Sequence, residues 1–359
     1  MSTTRPDVLV IGGGQAGLAT AYHLRRAGLV AGDGFSVIDA NPAPGGAWQH
    51  TWPSLRLFSP AAYSSLPGRP MPPSGEEYPA AVHVVDYLAH YETHYALPVH
   101  HGLSAHDVRR EDDDPQGRLL VDTPAGVWSA RVVVSATGTW GRPFVPTVPG
   151  AGDFAGRQLH SASYAGPESF AGATVLVVGG GNSGAQVVAE LSSVADTTWC
   201  TATAPRFLPD DVDGRVLFDV ATARRKALDA GRPDPGGVAG LGDVVAVASV
   251  REARARGAMV THAMFERVTA TGVVGPDGHE VPADVIVWCT GFRPDLTHLA
   301  SLGLARRGGH PLTIGTRARD EPRLHLVGYG DWTGPASATL IGVGRTARDA
   351  VGEIVNRLG

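Results

Sequence analysis

The sequence predicts an α/β protein of two Rossmann-like, dinucleotide-binding units, the second inserted into the first. Three observations carry that reading. Near the N-terminus a short apolar run, Asp7 to Ile11, opens into Gly12-Gly13-Gly14-Gln15-Ala16-Gly17. The pattern returns 167 positions later, where Thr174 to Val178 leads into Gly179-Gly180-Gly181-Asn182-Ser183-Gly184. Two more apolar runs, starting at Val132 and Val285, both end in Thr-Gly, as Thr137-Gly138 and Thr290-Gly291.

Each element follows from its residues. In a G-x-G-x-x-G turn the first glycine lets the chain leave its strand sharply and the second lets backbone approach a pyrophosphate. The third lets helix and strand pack closely, with the phosphates at the helix N-terminus. Residues 15–27 and 182–194 carry helical patterns, and Phe35 to Asp39 reads as the second strand of the first βαβ unit. Residues 41–81 are rich in Pro, Gly and Ser, yet hold Trp48, Trp52, Phe58 and Tyr63. A solvated linker lacks such aromatics, so an ordered, lining loop is expected. A helix is expected from Val82 to Tyr95, short strands over 99–134, and helices with breaks over 217–258. Strands return over 259–290 and at Leu324 to Gly328, and a closing helix runs from Thr339 to Leu358. The expected division is a first unit from 1–165 and 285–359, with the second unit over 166–284.

Two glycine turns in one chain suit a protein that sets a flavin against a nicotinamide. The first site should hold FAD or NAD. Asp39 lies 22 residues after Gly17, near the spacing at which a carboxylate accepts from a ribose hydroxyl and repels a 2′-phosphate. Asp39 also suits a plainer task, opening the Asn41-Pro42 turn. The second site has no such acid. Its stretch reads Trp199-Cys200-Thr201-Ala202-Thr203-Ala204-Pro205-Arg206, where Arg206 fits a 2′-phosphate and so NADPH, or is an ordinary solvated arginine.

Composition narrows the function classes. The chain has 359 residues, 43% of them hydrophobic, which suffices for two cores. Net charge is −5 and no basic block occurs, which argues against nucleic-acid binding. Cys200 and Cys289 form neither a C-x-x-C pair nor a disulfide framework, so a reducing, cytoplasmic setting is expected. Arg5 precedes an apolar run that the glycines break at once, so it is read as a strand and not as a leader; no run has membrane-spanning length. His100, His101 and His106 lack a partner set with metal spacing, and Asp112 to Asp114 reads as a solvated turn.

Further segments resemble one family. Phe154-Ala155-Gly156-Arg157-Gln158-Leu159-His160-Ser161-Ala162-Ser163-Tyr164 fits the F-x-G-x-x-x-H-x-x-x-Y/F fingerprint of the class B flavin-dependent monooxygenases. It precedes the second glycine turn, as it does in that family. Gly45-Gly46-Ala47-Trp48 resembles the family's G-G-x-W segment beside the flavin ring. Ala136-Thr137-Gly138 and Thr290-Gly291-Phe292-Arg293-Pro294 resemble its two crossovers. Ser54 to Pro60, Phe207 to Arg215, and Gly330-Asp331-Trp332-Thr333-Gly334 through Arg345 are similar to the small bacterial branch that includes flavin monooxygenases of arsenic-resistance operons. The broader family places an asparagine shortly after G-G-x-W; here that stretch reads Leu57-Phe58-Ser59-Pro60.

The resemblance implies FAD on Gly12, Gly14, Gln15, Ala16, Gly17 and Asp39, with Gly46, Ala47 and Trp48 at its ring. Asp331 would contact the ribityl and phosphate part, and the helix start at Leu340 would face the pyrimidine edge. NADPH would lie on Gly179, Gly181, Asn182, Ser183, Gly184 and Arg206, with Thr137, Gly138, Thr290 and Gly291 at the crossovers. His160 would link and support coenzyme binding, without a role in proton transfer. The implied activity is insertion of one oxygen atom from O2, by way of a flavin hydroperoxide, into a small substrate. That substrate would be a nitrogen, sulfur or trivalent arsenic nucleophile, or a carbonyl compound. A flavin reductase that inserts no oxygen, and a non-catalytic FAD-binding protein, share the same nucleotide motifs.

Overall fold

The computed structural model describes residues 4–112, 114, 116–210, 212, 214–233 and 244–359. Two sheets organise them. The first has seven strands in the order Thr313–Ile314, Arg317–Ala318, Leu324–Leu326, Val132–Ser135, Val8–Ile11, Phe35–Ile38, Val99–His100. Its five strands from Leu324–Leu326 onward run parallel. The second has five parallel strands in the order Thr261–Ala263, Asp196–Thr201, Thr174–Val178, Val285–Trp288, Arg157–His160. Strands buried on both faces need continuous apolar runs, and Val8–Ile11, Val132–Ser135 and Val285–Trp288 are buried throughout.

Both glycine turns stand at equivalent points. Val8–Ile11 lies between Phe35–Ile38 and Val132–Ser135, and Thr174–Val178 lies between Asp196–Thr201 and Val285–Trp288. Each is the strand at which the winding of its sheet reverses, where a crevice opens beyond the carboxyl ends. The five-stranded sheet takes Arg157–His160 and Val285–Trp288 from outside the span 166–284, so both chain crossings occur at strand ends rather than in free linkers.

Among the described residues six α-helices cover the sheets: α1 Gln15–Arg26, α2 Ala81–His94, α3 Asn182–Leu191, α4 Gly214–Asp229, α5 Ala248–Ala255 and α6 Leu340–Leu358. Leu18, Tyr22 and Leu24 of α1 and Val343, Ala347 and Ile354 of α6 share one core with Val8, Val10 and Val134. A separate core joins Val175, Val177, Val187, Leu191 and Val287. The bounds of the expected helices fall within three residues of those observed, with residues 234–243 of the expected 217–258 stretch outside the described residues. The 41–81 loop is ordered by short helical turns at Gly46–His50 and Ala61–Tyr63, and Trp52, Leu57, Leu66 and Met71 are buried. Among the described residues no helix is long and apolar enough to cross a membrane.

Candidate functional site

At the first turn the chain leaves Ile11 through Gly12 at φ 108°, a backbone that only glycine adopts without strain. A Cβ at Gly12 would lie 2.5 Å from the Ala136 carbonyl oxygen, and one at Gly17 would fall on the Gly12 carbonyl oxygen. Gly12 therefore lets the turn lie against the end of the neighbouring strand, and Gly17 lets the helix pack down on the turn. Gly14 is different: it starts α1 in ordinary extended backbone, with no side-chain cap, and its nearest neighbour to a Cβ is Gly46 Cα at 3.7 Å. The first amides of α1 are thus left for a ligand. The Asp39 carboxylate accepts from Gly13 N–H at 2.5 Å and from Asn41 N–H at 2.7 Å. It braces the glycine turn and opens the following turn, and it is buried at the cavity wall.

A groove of about 540 Å³ runs from this turn. Gly12, Gly14, Gln15, Ala16, Asp39, Gly46, Ala47, Trp48, Thr137 and Gly138 all line it; Gly17 does not. Its floor is a hydrogen-bonded cluster in which the Tyr329 hydroxyl lies 2.6 Å from Ser135 Oγ and 2.7 Å from Thr137 Oγ1, with His298 Nε2 3.0 Å from Ser135 Oγ. Burial pushes the His298 pKa down to about 4, so the imidazole is neutral.

The second turn repeats the backbone. Gly179 has φ 127°, with a Cβ falling on the Cys289 carbonyl oxygen, and a Cβ at Gly184 would fall on the Gly179 carbonyl oxygen. Gly181 has nothing within 4 Å, and α3 also starts without a side-chain cap. The strand beside it ends at Thr201, with no acid. Thr203 O and Pro205 Cβ would stand 3.6 and 3.7 Å from a Cβ on Gly180. Arg206 is exposed, and its carbonyl accepts from Val244 N–H at 3.3 Å. Asn182 and Ser183 face a second chamber, whereas Gly179, Gly181, Gly184, Arg206, Thr290 and Gly291 line neither cavity.

The two crossings are stitched together. Thr137 Oγ1 donates to Asp295 O at 2.6 Å, Thr290 Oγ1 donates to Phe144 O, and Arg293 N–H donates to Arg142 O at 2.8 Å. His160 joins them: its Nδ1 accepts from Ala162 N–H at 3.0 Å and its Nε2–H donates to Gly291 O at 2.9 Å. With both ring nitrogens so used the imidazole is neutral, and burial lowers its pKa further. The fingerprint histidine is a strut, in keeping with the linking role expected for it.

The chamber, about 560 Å³, meets the groove at Gln15, Trp48 and Ala338, which line both. Gln15 is fixed there, accepting from Trp48 Nε1–H at 3.1 Å and donating to Ala338 O at 2.6 Å. Apolar side chains dominate the walls: Leu55, Leu57, Phe58, Tyr63, Phe218, Pro335, Leu340 and Ile341. Asp331 is at the rim, where its carboxylate pairs with Arg224 of α4 at 3.0 Å. Leu340 opens α6, capped by Thr339 Oγ1, which accepts from Gly342 N–H at 3.0 Å. Helix α4 is fixed over α6 by Arg345, which donates to Thr222 Oγ1 at 2.9 Å and stacks on Phe218. Residues 55–58 fall in the Ser54–Pro60 segment and in the loop expected to line a site, whereas Gln186, Phe218 and Arg224 had no motif to announce them. The aromatic content of the loop and the i, i+4 spacing of Gln186 from Asn182 were the available signals.

The donor set fits the expected flavin. An uncapped helix start faces a groove that a carboxylate, Asp39, and an indole, Trp48, also line. Neither cysteine lines the chamber. Burial pushes the Cys200 thiol up to about 11 and the Cys289 thiol up to about 12, so neither is a ready thiolate.

Residues 9–218 match the family described as pyridine nucleotide-disulphide oxidoreductase. The chain belongs to that family. A flavin-containing monooxygenase from Stenotrophomonas maltophilia is 47% identical with a TM-score of 0.88, over 99% of both chains. An uncharacterized CzcO-like oxidoreductase of Geobacillus kaustophilus is 27% identical over 98% of both. A probable indole-3-pyruvate monooxygenase of Arabidopsis thaliana is 27% identical over 96% of this chain and 88% of its own length. This oxidoreductase is accordingly an FAD- and NADPH-dependent enzyme of the class B flavin monooxygenase type, with one cofactor-binding unit inserted in the other.

Proposed function

We propose that the groove holds FAD along Gly12, Gly14, Asp39 and Trp48, and that NADPH binds at Gly181, Asn182 and Ser183 of the second unit. The chamber between them would hold a small apolar substrate. What bound FAD supplies is acceptance of hydride from NADPH and, through a flavin hydroperoxide, delivery of one oxygen atom from O2. The protein's own part is to set the two nucleotides against each other and keep water out. The apolar chamber, open at one end to the groove and at the other to the first turn of α3, is the observation that carries this reading. A reductase passing electrons to a disulfide would need an accessible thiol there, and the chamber has none.

The chamber also bears on substrate class. Its charged groups are paired, Arg56 with Glu76 and Arg224 with Asp331, and its other polar groups are chiefly amides and hydroxyls, Gln15, Asn182, Gln186, Ser59, Ser64 and Thr339. These suit a neutral body carrying a thioether, an amine or a carbonyl. A trivalent arsenical, suggested by the resemblance to the arsenic-resistance branch, would enter without a thiolate to bind it and would be held by its organic part.

The test is to reduce the enzyme with NADPH, mix it with O2 and follow the flavin absorbance. A transient species distinct from reduced and oxidised flavin should appear. With no asparagine at 57–60, bound NADP⁺ or substrate should be needed to shield it, so it should decay faster in photoreduced enzyme without NADP⁺. Direct reoxidation with stoichiometric peroxide under all conditions, with thioether, amine, ketone and arsenical substrates present, would overturn the proposal in favour of a reductase or oxidase.

A further inference from the structure

One face of α3 reaches across to the chamber wall. Asn182, Gln186 and Glu190 are spaced i, i+4, i+8 and so share that face. Asn182 lines the chamber. One turn on, Gln186 accepts from Arg56 N–H and donates to Arg56 O, both at 3.4 Å. One turn further, the half-buried Glu190 carboxylate accepts from Trp52 Nε1–H at 3.2 Å, Ser54 Oγ–H at 2.7 Å and Tyr164 O–H at 2.9 Å. The Trp52 and Tyr164 rings meet edge to face, 5.7 Å apart. Residues 52–58, held in this way, supply Leu55, Arg56, Leu57 and Phe58 to the chamber. Trp52, Leu55 and Phe58 pack into the core of the second unit, although the chain delivers them from the first; Leu57, between them, packs into the first core.

We propose that Glu190 is a positioning residue which, with Gln186, fastens the chamber wall 52–58 to the coenzyme helix, so that filling the second nucleotide site orders the wall against which substrate is held. Removing the carboxylate leaves the buried Trp52 N–H and Tyr164 O–H without their acceptor. A buried donor left unpaired costs more than the hydrogen bond itself is worth, so the wall would detach from the helix. The inference rests on the proposed placement of NADPH at the start of α3 and does not depend on oxygen insertion.

Hydrogen exchange of the flavin-loaded enzyme, with and without NADP⁺, tests it. In the wild type NADP⁺ should slow exchange of residues 179–184 and of residues 52–58 by about tenfold, as expected of amides whose local opening is suppressed. In Glu190→Ala protection should remain at 179–184 and vanish at 52–58, with Glu190→Gln between. Ser54→Ala removes one exposed donor without disturbing either core, and should cut the response of 52–58 about threefold even if Glu190→Ala folds poorly. The anaerobic rate of flavin reduction at saturating NADPH should fall in Glu190→Ala while its KM for NADPH stays within about twofold. Protection at 179–184 alone in the wild type, or an unchanged response of 52–58 in both Glu190→Ala and Ser54→Ala, overturns the inference. Absence of protection at both segments overturns it together with the coenzyme placement, and leaves the oxygen chemistry to the separate absorbance test.

Discussion

At the first glycine turn the chain folds back over the helix start. Gly46 sits so close that a Cβ on it would lie 2.6 Å from Gly14 Cα, Asp39 braces Gly13, and the groove lined by these residues continues to Trp48. At the second turn nothing lies within 4 Å of a Cβ on Gly181, and the glycines line no comparable cavity. The backbones are nonetheless equivalent. Gly12 N–H donates to Ile38 O at 2.8 Å, as Gly179 N–H donates to Cys200 O at 2.9 Å. Equal motifs thus build equal turns, and the segments packed over them decide what each turn can hold. A covered turn with a built groove suits a resident cofactor; an uncovered one suits a coenzyme that binds and leaves.

The largest expected effect follows from that contrast. Gly14→Val and Gly181→Val both replace glycines in extended backbone, φ −77° and −93°, that any residue adopts. Neither added Cβ meets a close neighbour, so both proteins should fold. Gly14→Val should lower flavin affinity about a hundredfold, about 2.7 kcal/mol, by blocking the pyrophosphate. Purified Gly14→Val with wild-type flavin occupancy would remove FAD from the first turn. Gly181→Val should keep its flavin and raise the Kd for NADP⁺ about tenfold, about 1.4 kcal/mol, measured by calorimetry.

Of the same order, group by group, is an effect of acid on the first unit. Burial pushes His298 down to about 4 and His325 down to about 3. In the fold both are neutral, whereas in the unfolded chain they protonate near 6.5. Their contribution is therefore fully present above pH 6.5 and is lost as pH falls from there towards the folded values. From pH 7 to 5 each group should cost about 2 kcal/mol of stability. Thermal melts over this range should show Tm falling with pH, and His298→Gln should flatten the fall. An equally steep fall in that variant would show that the groove floor does not titrate in this way.

The motifs were legible in the sequence because the turn against the neighbouring strand end tolerates only glycine at Gly12 and Gly179, and the packing of the helix on that turn only glycine at Gly17 and Gly184, which leaves a spaced signature. The helices and strands were legible for a related reason: buried parallel strands admit few polar residues. The chamber was legible only in part: Gln15, Trp48, Phe58, Asn182, Asp331 and Leu340 were singled out, but not as one site. Its wall comes from an irregular loop at 55–58, one face of α3, the rim residue Asp331 and the partly polar helix α4. No local rule links those residues; the stitched crossings, the Glu190 and Gln186 contacts, and the Arg224–Asp331 and Arg345–Thr222 contacts bring them together. The turn-opening task of Asp39 was legible, and its two oxygens meet two backbone amides at once.

The smallest effect probes the acid that one turn has and the other lacks. Ile38 pairs with Ile11 and Cys200 with Val178, so the residue in register with Asp39 is Thr201. A neutral residue there admits a 2′-phosphate, and Arg206, exposed a few residues on, is the nearby cation. An exposed charge pair of this kind is worth about 1 kcal/mol or less. Arg206→Ala should therefore lower kcat/KM for NADPH about fivefold and leave NADH within about twofold, with the NADPH loss shrinking at high salt. Thr201→Asp should move the same ratio the same way, because it gives the second turn the carboxylate of the first. Equal losses with both coenzymes would assign the Arg206 side chain to local structure rather than to the 2′-phosphate. A wild-type enzyme more efficient with NADH than with NADPH would mean that the missing acid at Thr201 does not set the choice of coenzyme.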